Sequence, residues 1–282
     1  MSSFIGYHSH KNLSVAEKFD KAFRRYLTRK IGFESVMRIR CTRGMSLHTF
    51  HGHFFVRSTD LLSLPNVNPD AGFGMQVSID EDLKDSREVS FQAALLYTSS
   101  KGERRIRVHT LCLPTSNSLQ EIVQGADQQC IVGLLAKMAV DRSLNASIYD
   151  AKEAFINACI DIISRWRMIQ CANQPGALLV SPNLSLVPLY ILALLKSFAF
   201  TQRSGVPLDE RTMSMINMKC LPLTGLIQSM YPDLYRVDQL EKVKTIEDEE
   251  GILIPDPGGN FILCNFPMNF RYLYLSIYFH LC

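Results

Sequence analysis

Hydrophobic and polar residues alternate with two different periods along this chain, and the change of period divides the sequence. Residues 14–27 carry apolar side chains at helical spacing behind a capping serine and predict one amphipathic helix. From Phe33 to Leu113 the period is two, which predicts strands that form an antiparallel sandwich or barrel. The predicted strands are Ser35–Cys41, His48–Arg57, Gly74–Ile79, Glu88–Thr98 and Arg104–Leu113, and the stretch Leu64-Pro65-Asn66 is interpreted as a break between strands.

After Pro114 the apolar spacing becomes three and four, which predicts helices that pack as a bundle-like layer. The predicted helices are Leu119–Val140, Ser147–Ile169, Leu184–Phe200 and Leu208–Met230. An acidic run and a Pro/Gly-rich stretch follow residue 231, where we place a boundary. The predicted fold class is therefore α+β and multidomain, with an antiparallel β-sandwich followed by an all-α helical domain.

The amino-acid composition excludes some classes of protein but does not identify the function. The 282 residues are 47% hydrophobic and carry a formal net charge of +3, which favours a globular protein and argues against a nucleic-acid partner. Eight scattered cysteines without a CxxC pair predict reduced thiols in the cytosol. The amino-terminal residues do not resemble a signal peptide. The apolar stretch from Phe261 is interrupted by polar residues, so Tyr272–Cys282 is too short to span a membrane.

Two arginines on one predicted strand are the most informative feature. In an extended strand Arg38 and Arg40 share one face, while Met37, Ile39 and Cys41 share the other. A guanidinium offers a planar fork of donors that matches a carboxylate, so the pair indicates recognition of an acidic ligand. The alternative interpretation is a solvated strand face.

A second basic strand repeats this arrangement. Arg105, Arg107 and His109 are predicted on one face, with Ile106 and Val108 on the other. The sequence does not say whether this strand neighbours the first one. If it does not, Arg105 and Arg107 are expected to be solvated or to face anionic lipid.

Catalytic and metal-binding patterns are weak. We find no nucleophile with a base, no paired carboxylates in an apolar setting and no phosphate-binding glycine loop. His48, His51 and His53 could suggest zinc, but we interpret His51 and His53 as exposed imidazoles on the sheet that carries the arginines. The acidic residues between Asp80 and Asp85 are interpreted as a solvated loop in preference to a calcium site. No enzyme activity, metal or cofactor is predicted.

Several stretches of the chain resemble the cargo-adaptor subunit of the COPII inner coat, the Sec24 family. They include the motifs Val36-Met37-Arg38-Ile39-Arg40 and Ala94-Leu95-Leu96-Tyr97-Thr98, within a resemblance that covers roughly residues 7–238. The family's domain order implies a carboxyl-terminal remnant of the trunk at 1–34, a β-sandwich at 35–114, a helical domain at 115–231 and a truncated or divergent gelsolin-like segment at 232–282.

The resemblance implies a non-enzymatic coat component on the cytosolic face of endoplasmic reticulum exit sites and COPII vesicles. It implies as partners a paralogous GTPase-activating coat subunit, the anionic membrane surface and cargo tails with acidic signals such as L-x-x-L-E. Arg38 and Arg40 match the arginines of the family's signal pocket. Leu95 is the nearest match to its apolar residue, with Leu96 left open.

The family's zinc finger and most of its trunk have no counterpart in this sequence, so no zinc is expected and at most half of the signal pocket is present. The alternative function is a non-catalytic scaffold at the membrane surface that has lost cargo recognition.

Overall fold

A computed structural model describes residues 13–58, 60–83, 86–170, 181–202 and 205–230. The expectations for residues 1–12 and for the gelsolin-like segment from 232 onward lie outside these residues. The described part begins with helix α1, Leu13–Thr28, as the apolar spacing predicts. The strands that follow are β1 Gly32–Cys41, β2 Met45–His51, β3 Phe55–Ser58, β4 Leu61–Val67, β5 Gly74–Ile79, β6 Glu88–Ser99 and β7 Arg104–Pro114.

These strands form two antiparallel sheets, which confirms the predicted sandwich. The larger sheet has the order β3-β4-β1-β6-β7, and the smaller sheet pairs β2 with β5. The inner face of the larger sheet presents buried residues such as Met37, Phe91 and Leu95, which pack with Phe73 and Met75 in one core. The outer face of the larger sheet is turned away from this core. The alternation in β1 therefore decides which side chains meet the core and which meet solvent.

Two strand predictions are wrong in detail. The predicted strand His48–Arg57 is divided into β2 and β3, which belong to different sheets. The backbone turns at Gly52, whose φ of +153° favours glycine. The predicted break at Leu64-Pro65-Asn66 lies inside β4. Proline is tolerated there because β3 pairs only with Leu61, Leu62 and Ser63 of β4, so Pro65 lies in a part of the strand whose other side has no partner strand among the described residues.

The helical domain follows the sandwich, as predicted. Its helices are α2 Leu119–Gln124, α3 Gln128–Asn145, α4 Ile148–Gln170, α5 Val187–Lys196, α6 Leu208–Cys220 and α7 Leu223–Met230, with a 3₁₀ turn at Pro182–Leu184. Helix α3 is buried along most of its length and packs against α4, α5, α6 and α7. The core of this domain includes Phe155, Trp166, Tyr190 and Phe200.

Two predicted helices are each divided in two. The first ends at Gly125 and restarts behind Asp127, whose carboxylate accepts hydrogen bonds from the amides of Gln129 and Cys130. The last is broken at Leu221, whose extended backbone precedes Pro222. Local capping and proline geometry therefore override a continuous apolar period in both places.

A polar cluster joins the sandwich to the helical domain. His51, at the end of β2, is 3% exposed, and its Nδ1 lies 2.6 Å from an Asp141 carboxylate oxygen on α3. Gln76 Nε2 lies 3.2 Å from the other ring nitrogen, and Lys219 Nζ donates to Asp141 at 2.6 Å. The amide of Gln76 donates, so the ring accepts at Nε2 and donates from Nδ1. The prediction of an exposed His51 on the arginines' sheet is wrong, because the ring is buried between the domains.

Lys137 and Gly72 lie beside the same junction. Lys137 is fully buried on α3, and its Nζ donates to the carbonyl oxygens of Met218, Lys219 and Leu221 at 3.2, 2.8 and 3.0 Å. It thereby supplies donors to the carboxyl end of α6, where helix carbonyls lack partners. The Gly72 amide donates to the carbonyl of Cys220 at 2.8 Å. The bonds of Lys137 lie within the helical domain, whereas the Gly72 amide and the His51–Asp141 contact link that domain to the sandwich.

Candidate functional site

The arginine pair, Arg38 and Arg40, lies on the outer face of the larger sheet. Their side chains are 49% and 63% exposed, whereas Met37 and Ile39 between and beside them are 0% and 1% exposed. This arrangement agrees with the alternation read from the sequence. Both guanidiniums are consequently available to solvent from a rigid, central strand.

One carboxylate of the protein already lies against the arginine pair. Asp60, just before β4, accepts a hydrogen bond from Arg38 Nε at 2.6 Å, and Arg40 Nε lies 3.6 Å from the same oxygen. The hydrogen bond from Arg38 holds the pKa of the Asp60 carboxyl below its ordinary value of 3.8, and the charges of both arginines act in the same direction. Asp60 therefore stays ionised at neutral pH and draws the two guanidiniums together.

Cross-strand pairing defines what surrounds the arginines. Arg38 lies opposite Ala94 on β6, and Ala94 lies opposite Val108 on β7. In the neighbouring row, Val36 lies opposite Leu96, and Leu96 opposite Ile106. Directly opposite residues of an antiparallel pair share a face. We call Leu96, Ile106 and Val108 the apolar patch.

The apolar patch is open to solvent beside the arginine pair. Ile106 is 68% exposed and Val108 is 54% exposed. Phe55, on the edge strand β3, is 69% exposed and reaches the same face because it lies opposite Ser63, which lies opposite Val36. The outer face thus combines two cations with exposed apolar side chains, a combination that suits an amphipathic ligand.

Leu95 does not share this face. It lies opposite Met37, is 2% exposed and belongs to the sandwich core. Leu96, the alternative that the sequence left open, is on the arginines' face. A shift of one residue along a strand exchanges the two faces, so sequence spacing alone could not choose between neighbouring leucines.

Arg105 and Arg107 also lie apart from the arginine pair. They are opposite Tyr97 and Leu95, which places them on the inner face of the sheet, at its β7 edge. The two basic strands are separated only by β6, yet their arginines point to opposite sides. The larger sheet therefore carries two distinct basic surfaces.

Comparison with known proteins identifies these domains. Residues 32–116 match the Sec23/Sec24 beta-sandwich domain, and residues 127–228 match the Sec23/Sec24 helical domain. The chain is 56% identical to protein transport protein Sec24A of Homo sapiens over 256 residues, which is 90% of this chain and 23% of that protein. The chain belongs to the Sec24 family.

Other Sec24 proteins agree with this assignment. Sec24B of Homo sapiens is 53% identical over 90% of this chain and 20% of its own length, and SEC24 A of Arabidopsis thaliana is 42% identical over 79% and 22%. The human COPII-coat protein Sec24c, known from a crystal structure, superposes with a TM-score of 0.67 at 26% identity, covering 74% of this chain and 28% of that one. The chain spans about a fifth of the length of the curated Sec24 relatives it matches.

Two further observations bear on what this Sec24 chain can do. None of the helices in the described ranges is long and apolar enough to cross a membrane. Across the same ranges, no group of three or more His, Cys, Asp or Glu side chains is placed to hold a metal ion.

Sequence reasoning missed Asp60, the carboxylate that contacts both arginines. It lies 22 positions after Arg38, and only the antiparallel pairing of β1 with β4, in which Arg38 opposes Leu61, brings it close. The sequence did contain one hint: Asp60 is an acidic residue directly before β4. A residue in that position can reach the side chains of a neighbouring strand such as β1.

Proposed function

We propose that this chain is a non-enzymatic component of the COPII vesicle coat that selects cargo for transport from the endoplasmic reticulum to the Golgi. In this proposal it binds acidic export signals in the cytosolic tails of cargo proteins. The observation that carries the proposal is the arginine pair on the outer face, exposed and adjoining the apolar patch. Membership of the Sec24 family supports the same conclusion.

The geometry suits a short peptide that combines an acidic residue with leucines. Asp60 contacts both arginines through Nε. Each guanidinium also carries two Nη nitrogens, which can donate to a ligand carboxylate. The apolar patch lies within one or two cross-strand positions, which matches the reach of leucines in an L-x-x-L-E signal. Arg38 and Arg40 thus bind the acidic residue, and Leu96 with its neighbours contacts a leucine.

Coat assembly and location follow from the same proposal. A paralogous coat subunit would be its partner in the coat, and the chain would act peripherally on the cytosolic face of exit sites. The relatives contain a further four-fifths of sequence, which would supply other parts of the signal pocket and the zinc site. No residue of the described chain is assigned to zinc here.

Reversing the charge of the arginine pair should abolish peptide binding. We expect a fluorescent L-x-x-L-E peptide to bind the chain with a micromolar Kd that weakens as salt rises, because few charge-assisted hydrogen bonds form on an open face. The variant Arg38→Glu/Arg40→Glu should bind at least tenfold more weakly by fluorescence anisotropy, while circular dichroism shows an unchanged fold. Arg105→Glu/Arg107→Glu is the matched control, because the same charge change falls on the opposite face. Equal affinity of both variants and the parent would contradict the proposal.

Removing the internal carboxylate should have the opposite effect. In Asp60→Asn the ligand no longer competes with a resident anion, so we expect peptide affinity to rise by about fivefold, the equivalent of about 1 kcal/mol for an exposed ion pair. Glu103→Gln is the control, because Glu103 pairs with Arg105 away from the outer face. Weaker binding by Asp60→Asn would mean that Asp60 chiefly orients the arginines.

A further inference from the structure

Ser58 ends the edge strand β3 and lies on the same face of the sheet as the arginine pair. It is exposed, as are the other three side chains of β3. Ser58 lies opposite Leu61 on β4, and Leu61 lies opposite Arg38 on β1. Directly opposite residues share a face, so the Ser58 hydroxyl and the Arg38 guanidinium both belong to the outer face. They are separated by two strand spacings, which is about 10 Å between Cα atoms.

The arginine side chains extend toward Ser58. Asp60, two residues after Ser58, accepts a hydrogen bond from Arg38 Nε at 2.6 Å, and Arg40 Nε lies 3.6 Å from the same oxygen. Both guanidiniums therefore lie on the side of β1 that faces the β3–β4 hairpin. A long arginine side chain and a phosphorylated serine can together span two strand spacings, so a phosphate on Ser58 can reach these guanidiniums.

The charge of the site would change sign if Ser58 carried a phosphate. Two arginines and Asp60 together leave one positive charge, which the acidic residue of a peptide signal can neutralise. A phosphoserine carries nearly two negative charges at neutral pH and three acceptor oxygens, and arginine clusters bind such a group through charge-assisted hydrogen bonds. The phosphate would occupy guanidinium donors and repel an acidic ligand.

A modifying enzyme can reach Ser58 more easily than the other serine of this face. Ser63 lies opposite Val36 on one side and Phe55 on the other, so β4 is paired on both sides there. Strand β3 instead lies at the edge of the sheet and has only four residues, all exposed. A segment with so few buried contacts opens locally at a small free-energy cost, which allows an enzyme to bind it in an extended form.

We propose that Ser58 is a phosphorylation site, and that its phosphate binds the arginine pair and blocks the acidic signal. A serine kinase would transfer the γ-phosphoryl group of ATP to Ser58 Oγ. The new bond joins Oγ to phosphorus, the bond from that phosphorus to the oxygen bridging to the β-phosphate breaks, and ADP leaves. The hydroxyl proton passes to the base of the kinase. The blocking effect rests on the proposed function, whereas the contact between phosphate and arginines does not.

Modification of Ser58 can be tested by mass spectrometry. The chain is incubated with ATP in a eukaryotic cell extract that contains phosphatase inhibitors, and its peptides are then analysed. We expect a phosphopeptide with the phosphate on Ser58, and we expect it to be missing from Ser58→Ala. Absence of phosphate on Ser58 in the parent chain would overturn its assignment as a modification site.

The contact with the arginines can be tested without any peptide ligand. Phosphoserine is incorporated at position 58 by genetic encoding, and the phosphate is titrated by ³¹P NMR. Its second pKa, about 6 in an exposed phosphoserine, should fall by at least about 0.5 because the guanidiniums favour the dianion. The shift should largely disappear in Arg38→Gln/Arg40→Gln, a comparison that leaves the neighbouring Arg57 in place. Phosphoserine at position 229, exposed on α7, is the control and should not respond to the arginine substitutions. An ordinary pKa at position 58, or a shift that persists without the arginines, would overturn the proposal.

Fluorescence anisotropy with the L-x-x-L-E peptide tests the blocking effect. Phosphate on Ser58 should weaken binding at least tenfold, whereas phosphate on Ser229 and the variant Ser58→Ala should stay within twofold of the parent, with circular dichroism confirming the fold of each. Undiminished binding by the chain with phosphate on Ser58 would overturn the blocking role and leave the proposed function intact. Absence of peptide binding by the unmodified chain would contradict both, and the ³¹P titration would still decide whether the phosphate contacts the arginine pair.

Discussion

Replacing Lys137 with methionine is expected to lower the free energy of unfolding by about 3 kcal/mol, because three buried carbonyls lose their donor at once. Methionine has similar length and fills the space without supplying a proton. Chemical denaturation followed by circular dichroism measures the loss. Lys196→Met, an exposed lysine at the end of α5, is the matched control and should change stability by less than about 0.5 kcal/mol. A loss no larger than this control would show that Lys137 is not needed at the carboxyl end of α6.

The contribution of Lys137 to the free energy of unfolding can also be measured from its pH dependence. Burial lowers the pKa of its ammonium from 10.5 to about 8 in the folded protein. Between those two values the folded chain binds fewer protons at this site than the unfolded chain, so the contribution of Lys137 to stability rises with pH across that window. The stability difference between the parent and Lys137→Met should therefore grow from pH 8 to 10.5. A constant difference would indicate that Lys137 titrates normally.

Replacing Gly72 with alanine is expected to cost about 3 kcal/mol, which is large for one added methyl group. A Cβ at this position would lie 2.3 Å from the carbonyl oxygen of Leu221 and 2.5 Å from Pro222 Cα. Both are backbone atoms, so the steric overlap can be removed only if the sandwich loop moves away from the α6–α7 connection. The bond from the Gly72 amide to Cys220, and with it the domain junction, would be strained. Thermal unfolding and limited proteolysis should both report this change.

Gly125→Ala is the control for that substitution. Gly125 has a φ of −85°, and its nearest contact for an added Cβ is an ordinary 3.5 Å, so the change should be neutral or slightly stabilising. An equally small effect at Gly72 would mean that the two loops can separate at little cost, and the junction would then depend mainly on the contact of His51 with Asp141.

Local sequence was sufficient for most elements of the sandwich. The strands from Glu88 and Arg104 and the strand Gly74–Ile79 were predicted nearly to the residue, because period-two alternation of side chains is a local property of an extended strand. Strand β4 was missed because proline and asparagine suggested a turn. The proline is accommodated because the edge strand β3 pairs with β4 only up to Ser63, and that extent of pairing is set by the tertiary structure.

In the helical domain, apolar periodicity predicted the helical segments but not where each helix ends. Apolar spacing identified the correct segments, but the pattern continues through Gly125 and Leu221, where the chain stops one helix and starts another. Periodicity reports which side of a segment is buried, and it does not report the backbone angles that end a helix. Those ends position Asp127 as a cap and expose the α6 carbonyls to Lys137.

By itself, the sequence determined that Arg38 and Arg40 share one exposed face, because alternation is a property of any extended strand. It also determined the order of sandwich and helices. Only the tertiary structure decided that Asp60 lies against the arginine pair, that Leu96 and not Leu95 shares their face, and that Arg105 and Arg107 lie on the other side. These outcomes depend on strand register and sheet order, which arise from contacts between residues far apart in the chain.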